Sequence, residues 1–109
     1  MLDDATRYAI LRLLEKHPDL SQREIAEKAG ISLGKANYCV KALIDKGWIK
    51  IRNFRNSHNK TAYLYQLTPA GIRERAQVTR RFLILKIKEH DQITADIERL
   101  RQEVQAHRE

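Results

Sequence analysis

Six residues in one short stretch, Leu33, Gly34, Lys35, Asn37, Tyr38 and Lys41, have types and spacing suited to nucleic-acid bases and phosphates. They lie within GISLGKANYCVKALIDKGWIK, residues 30–50. Ala36, Val40, Leu43 and Ile44 fall at i, i+4, i+7 and i+8 and give that stretch the buried stripe of an α-helix. The six form the rest of the front, where a helix that only had to stay soluble would carry Glu and Lys. Leu33 suits a thymine methyl and Lys35 the guanine acceptors or a phosphate. Asn37 suits a bidentate pair with adenine, or a solvated surface amide. Tyr38 and Lys41 suit the sugar–phosphate backbone, with contact on the protein's own surface as the lesser alternative for Tyr38. Gly34 removes bulk at a cost of about 1 kcal/mol in helix propensity relative to Ala. Ser32, just before them, is a helix N-cap, and a helix N-terminus attracts phosphate.

Two further groups share that chemistry. Arg52, Asn53, Arg55, Asn56, His58 and Lys60 crowd a polar, basic segment suited to phosphates or to a narrow minor groove; a solvated loop tip is the alternative. Ser21, Gln22 and Arg23 open another predicted helix, where N–H groups and a cation face outward. The charge follows the same geography. Of the net +7, residues 21–60 supply +6 from nine basic and three acidic groups, and no Asp or Glu occurs from Lys46 to Arg73. Such local depletion of acid points to a polyanion, with double-stranded DNA ahead of a membrane surface.

Other chemistries find no residues. No Gly-rich phosphate loop and no nucleophile with a paired base is present, so an enzyme is not expected. His17, His58, His90 and His107 are scattered without metal-ligand spacing, and Cys39 is alone, so neither metal nor cofactor is expected. Cys39 reads as a small hydrophobe on the base-reading helix, or as a redox-sensitive thiol if its pKa were lowered. No apolar run approaches the roughly 20 residues that span a bilayer, and the acidic start MLDDATRYAI is no signal peptide. The expected setting is cytoplasmic, and nucleoid-associated when bound to DNA.

The elements that must position these residues follow from local signals. A first helix is predicted from about Asp3 to Lys16, with Leu2, Ala5, Ile10, Leu11 and Leu14 on its apolar face, ended by His17-Pro18-Asp19. Ser21 and Glu24 form a capping box for a second helix through Ala29, which turns Ile25, Ala26 and Ala29 inward. Gly30 can end it in a left-handed conformation, Ile31 acts as a buried staple, and Ser32 opens the third helix, 32–46. Two helices joined by so short a Gly-containing turn make a helix-turn-helix. Trp48–Phe54 and Ala62–Leu67 alternate as strands of a hairpin around RNSHNKT, which makes residues 52–61 a wing.

Thr68-Pro69 starts a last helix, 69–107, with no later Pro or Gly beyond Gly71. Ile93, Ile97, Leu100 and Val104 recur at spacings of 4, 3 and 4, a coiled-coil seam. Upstream the register meets Leu83, Ala76 and Ile72, interrupted by Thr79, Lys86 and His90. The block RRFLILKIK at 80–88, with Ile87, is apolar on too many sides for a lone surface helix. It is expected to pack on its own domain with one side and on a second copy with the other. The predicted fold is thus mainly α with a β-hairpin wing. A winged helix-turn-helix domain, 1–68, precedes a long C-terminal helix, 69–109, for homodimerisation through Leu83, Ile87, Ile93, Ile97, Leu100 and Val104.

The run from SQREIAEKAGIS through VKALIDKGWIK to LTPAG resembles the MarR family of bacterial winged-helix transcription regulators over roughly residues 5–75. The continuation RERAQVTRRFLILKIKEH is similar to the subgroup associated with exopolysaccharide genes. The resemblance implies a homodimeric DNA-binding regulator, more often repressor than activator, that reads a pseudo-palindrome. Counterparts to the family's extra N-terminal helix are not expected here, so dimerisation is expected to rest on the C-terminal helix, and the resemblance leaves any small-molecule effector unknown. RNSHNK also replaces the acidic residue and paired arginines of the family's wing. The architecture is equally similar to small archaeal chromatin proteins, so a non-specific architectural DNA binder is the alternative. A winged-helix and coiled-coil adaptor for other proteins is a third reading.

Overall fold

The computed structural model describes residues 2–55 and 61–108, and the backbone runs α1 (Asp4–Lys16), α2 (Gln22–Ala29), α3 (Leu33–Asp45), β1 (Ile49–Arg55), β2 (Thr61–Leu67) and α4 (Pro69–Ala106). Each helix start carries the cap that its sequence offers. Asp3 accepts from the Thr6 N–H at 2.7 Å, Ser32 from Lys35 N–H at 3.1 Å and Thr68 from Gly71 N–H at 3.0 Å. At α2 the box is reciprocal: Glu24 N–H donates to Ser21 Oγ and Ser21 N–H donates to a Glu24 carboxylate oxygen, both at 3.1 Å. Gly30 takes φ of +69° and returns its N–H to the end of α2, so the chain reverses into α3 without the strain that a Cβ would bring.

The three short helices meet over one core. Ile10, Leu11 and Leu14 of α1 close on Ile25 and Ala26 of α2 and on Ala36, Cys39, Val40 and Leu43 of α3. Ile49 and Tyr65 seal it from the hairpin, and Leu20 from the loop between α1 and α2. Ala5, expected inside, is exposed; Thr6 takes the buried position on that turn. The strands are antiparallel, with Ile49 opposite Leu67 and Ile51 opposite Tyr65. Tyr65 N–H also donates to Pro18 O at 2.9 Å, which ties the hairpin to the chain just ahead of α2.

The helix α4 is unbroken over 38 residues, about 57 Å at 1.5 Å per residue, in a molecule 74 Å long and 28 Å wide. Its first turns are docked. Gly71 lies so close to the backbone where β1 begins that a Cβ on it would stand 1.9 Å from Trp48 O. Around that contact Thr68 Oγ1 donates to Gly47 O at 2.6 Å and Thr68 N–H to Trp48 O at 3.0 Å. Val78 is fully buried, and Arg7 of α1 lies over the Trp48 ring and bonds Glu74 at 3.0 Å. Phe82 stacks on Tyr8 with ring centroids 5.0 Å apart. The apolar block was expected to cover one side on its own domain. Only Phe82 does so: Leu83, Ile84, Leu85 and Ile87 are exposed, because α4 has by then passed the end of α1.

Two outcomes test this account. Gly71→Ala should destabilise the chain by about 2 kcal/mol or more through backbone overlap, read as a lower thermal midpoint. Asp3 and Glu24 are held below their ordinary carboxyl pKa values, chiefly by the N–H groups of Thr6 and Ser21. A depressed carboxyl contributes stability that is complete above its ordinary value and lost as pH falls through its folded value. Helical circular dichroism should therefore weaken below about pH 4, and Asp3→Asn with Glu24→Gln should flatten that acid limb.

Candidate nucleic-acid interface

The second helix of the pair, α3, turns its stripe of Ala36, Cys39, Val40 and Leu43 into the core and leaves the opposite face open. On that face Ser32, Leu33, Gly34, Lys35, Asn37, Tyr38 and Lys41 are all exposed, Leu33 at 40% and Tyr38 at 57%. The first turn holds no acid, so the N-terminal half-charge of the helix and Lys35 act in one direction. A Cβ on Gly34 would meet nothing within 4 Å. Packing inside the domain therefore does not demand glycine there. Tyr38 and Lys41 border a shallow hollow of about 310 Å³ with Ala42 and Asp45.

Ser21, Gln22 and Arg23 stand at the opening of α2, and their environments differ. Ser21 is spent on the capping box and Arg23 is exposed. Gln22 donates from Nε2 to the Tyr65 hydroxyl at 3.1 Å, so its amide is already engaged by the hairpin. Between these residues and the hairpin lies an open hollow of about 410 Å³, lined by Asp19, Leu20, Ser21, Gln22, Tyr63 and Tyr65. Tyr63 was not among the sequence candidates. It shares a strand face with buried Tyr65, two residues on, but stands past the core edge and is 56% exposed. Alternation alone could have flagged it.

The predicted wing residues do not form one face. Asn53 sits opposite Tyr63 on the Ile51 and Tyr65 side, whereas Arg52 pairs with Leu64 and alternates to the other side with Lys50. Both Arg52 and Asn53 are exposed, and Arg55 closes β1 opposite Thr61. Asn56, His58 and Lys60 lie outside the described residues. Lys50, also exposed, is a basic group that the candidate set omitted.

Cys39 is fully buried, and burial pushes its thiol pKa up against the weaker pull of Lys35. That is the setting of an inert core thiol. Far from this surface, the expected dimer residues Leu83, Ile87, Ile93, Ile97, Leu100 and Val104 are 44 to 59% exposed along α4. Among the described residues no group of three His, Cys, Asp or Glu side chains could hold a metal ion, and no helix is long and apolar enough to cross a membrane.

A family model described as winged helix-turn-helix DNA-binding matches residues 3–50, from the α1 cap to the entry of β1. No curated protein matches the chain in sequence. Solved structures do. A MarR/EmrR family transcriptional regulator from Acinetobacter sp. ADP1 is 25% identical with a TM-score of 0.57, over 93% of this chain and 75% of that one. A PadR-like transcriptional regulator from Bacillus cereus strain ATCC 14579 reaches a TM-score of 0.74 at 13% identity, covering 85% of this chain and 95% of its own. Sso10a-2, a DNA-binding protein from Sulfolobus solfataricus, reaches 0.63 at 17% identity, covering 86% and 93%. At such identities the last two likenesses are of fold.

The burial of Cys39 has a direct readout. At pH 8 an aromatic disulfide reagent should label the native protein on the order of a hundredfold more slowly than the unfolded chain. Rapid labelling of the folded protein would return the redox reading to consideration.

Proposed function

We propose that this chain is a DNA-binding transcriptional regulator that acts as a homodimeric, sequence-specific repressor, a reading supported by the winged helix-turn-helix match and the likeness to a MarR/EmrR family regulator. One observation carries the reading. Within the matched domain, the exposed front of α3 combines a glycine that packing does not require with Leu33, Lys35, Asn37, Tyr38 and Lys41. Such a helix enters the major groove with its N-terminal residues nearest the base edges. Leu33, Lys35 and Asn37 read bases; Tyr38, Lys41 and Ser32 hold the backbone. Gly34 lets the helix approach.

Supporting contacts come from both sides. Arg23 and the N-terminus of α2 meet phosphates across the groove, and the hairpin follows the neighbouring backbone or minor groove with Asn53, Tyr63 and its basic residues. Residues 1–68 read DNA and 69–109 join two copies, so that two α3 helices enter successive major grooves about 34 Å apart. The protein acts in the cytoplasm, without catalysis, and the resemblance to exopolysaccharide-associated regulators suggests its target genes. The likeness to Sso10a-2 favours one other reading, an architectural binder of any duplex.

Selection of bound fragments from the source genome, followed by footprinting, separates the two: a repressor protects one pseudo-palindrome and an architectural protein protects every duplex alike. On the selected site Asn37→Ala should lose about 1–3 kcal/mol of discrimination at one base position. Lys41→Ala should weaken all sequences evenly and lower the salt slope by about one. Gly34→Ala should raise stability by about 1 kcal/mol while weakening operator binding. A Gly34→Ala protein that binds as tightly as the parent would remove the groove assignment.

A further inference from the structure

Past Phe82 the helix α4 leaves its own domain, and every residue from Leu83 to Ala106 except Asp96 is exposed. This projecting rod is where the homodimer proposed above must form, and the inference here rests on that proposal. Ile93, Ile97, Leu100 and Val104 make its apolar stripe, beside an open groove of about 350 Å³ lined by Ile97, Leu100, Val104 and the stems of Arg101 and Arg108. The spacings place Ile97 and Val104 at heptad positions a, and Ile93 and Leu100 at d. With that register fixed, the flanking positions are no longer free. Position g holds Glu89, Asp96 and Glu103, and position e holds Ile87, Thr94, Arg101 and Arg108. One edge of the seam is acidic throughout, and the other is basic over its last two turns.

This asymmetry selects an orientation. In a parallel, in-register pair each g residue faces the e residue five positions on in the partner. In an antiparallel pair g faces g and e faces e. We infer that α4 pairs with a second copy as a parallel, in-register coiled coil, Asp96 facing the partner's Arg101 and Glu103 facing the partner's Arg108. Antiparallel pairing of the same stripe would set Asp96 against the partner's Glu103 on one edge and leave Arg101 and Arg108 opposite the partner's Thr94 and Ile87 on the other, with no opposite-charge pair on either. Over the last two heptads the β-branched residues at a, Ile97 and Val104, with leucine at d position 100, also favour two parallel strands. Within one chain Asp96 is bonded by Arg99 at 3.0 Å and Gln92 at 3.0 Å, neither of which lies beside the seam. The two winged domains then sit at the same end of the rod. Antiparallel pairing through the same stripe would send them to opposite ends.

The test uses the full chain with His107→Cys at the next d position, leaving buried Cys39 in place. Sedimentation equilibrium at tens of micromolar comes first, then mild oxidation and non-reducing electrophoresis. The expected result is a dimer that becomes covalent through residue 107, while the parent protein does not cross-link. A dimer that fails to cross-link overturns the parallel orientation and leaves the homodimer standing; a monomer overturns the homodimer itself. Charge reversal gives an independent readout. Arg101→Glu with Arg108→Glu should weaken dimerisation at least tenfold at low salt, and adding Asp96→Lys with Glu103→Lys should restore it. In an antiparallel dimer these arginines face Thr94 and Ile87 and have no acidic partner to lose, so unchanged dimerisation in the first variant would overturn the inference.

Discussion

A single backbone contact sets the relation between the reading domain and the rod. Where Gly71 approaches Trp48 O, the end of α3, the base of the hairpin and the first turn of α4 come within one residue of each other. The contact, with its two Thr68 hydrogen bonds, makes the direction of α4 a function of the direction of β1. The Arg7, Trp48 and Glu74 cluster and the Tyr8–Phe82 stack then hold the helix against α1 for its next three turns. Surface ion pairs add little individually, but here Glu74 is largely buried and shared between Arg7 and Arg81.

The surface proposed to meet DNA inherits its precision from the same core. Cys39, Val40 and Leu43 fix the rotation of α3 about its axis, because a different rotation would bring Lys35 or Lys41 inward at the cost of burying a charge. The open face therefore needs no stabilising contacts of its own. Gly34 shows the division plainly: it is a weak helix former kept at a position where the fold would accept a side chain.

Much of this was legible in the sequence, and what was legible was local. Ser21 with Glu24, Gly30, Ser32 and Thr68-Pro69 each act within four residues, so their types and spacing are enough to place four helix boundaries to within a residue or so. The long helix and its exposed stripe were readable for the same reason. What escaped depends on distant chain. Nothing near Gly71 announces that the Trp48 carbonyl will lie beneath it. The burial of Thr6 in place of Ala5 follows from how α1 rolls on its neighbours. Tyr63 was passed over, and Arg52 lies on the opposite strand face from Asn53, because the hairpin alternates about a core edge whose position only the packed domain defines.

The continuity of α4 has a mechanical consequence. With neither proline nor glycine beyond its third residue, the helix has no soft joint between the reading domain and the rod. Two such molecules clamped along their rods would behave as stiff callipers of fixed gauge. A site of the wrong spacing is then accommodated by curving or twisting the duplex, at an elastic cost of order 1–6 kcal/mol for a bend of 40–90°. Base pairs between the half-sites, touched by no side chain, would thus be selected for their pliability.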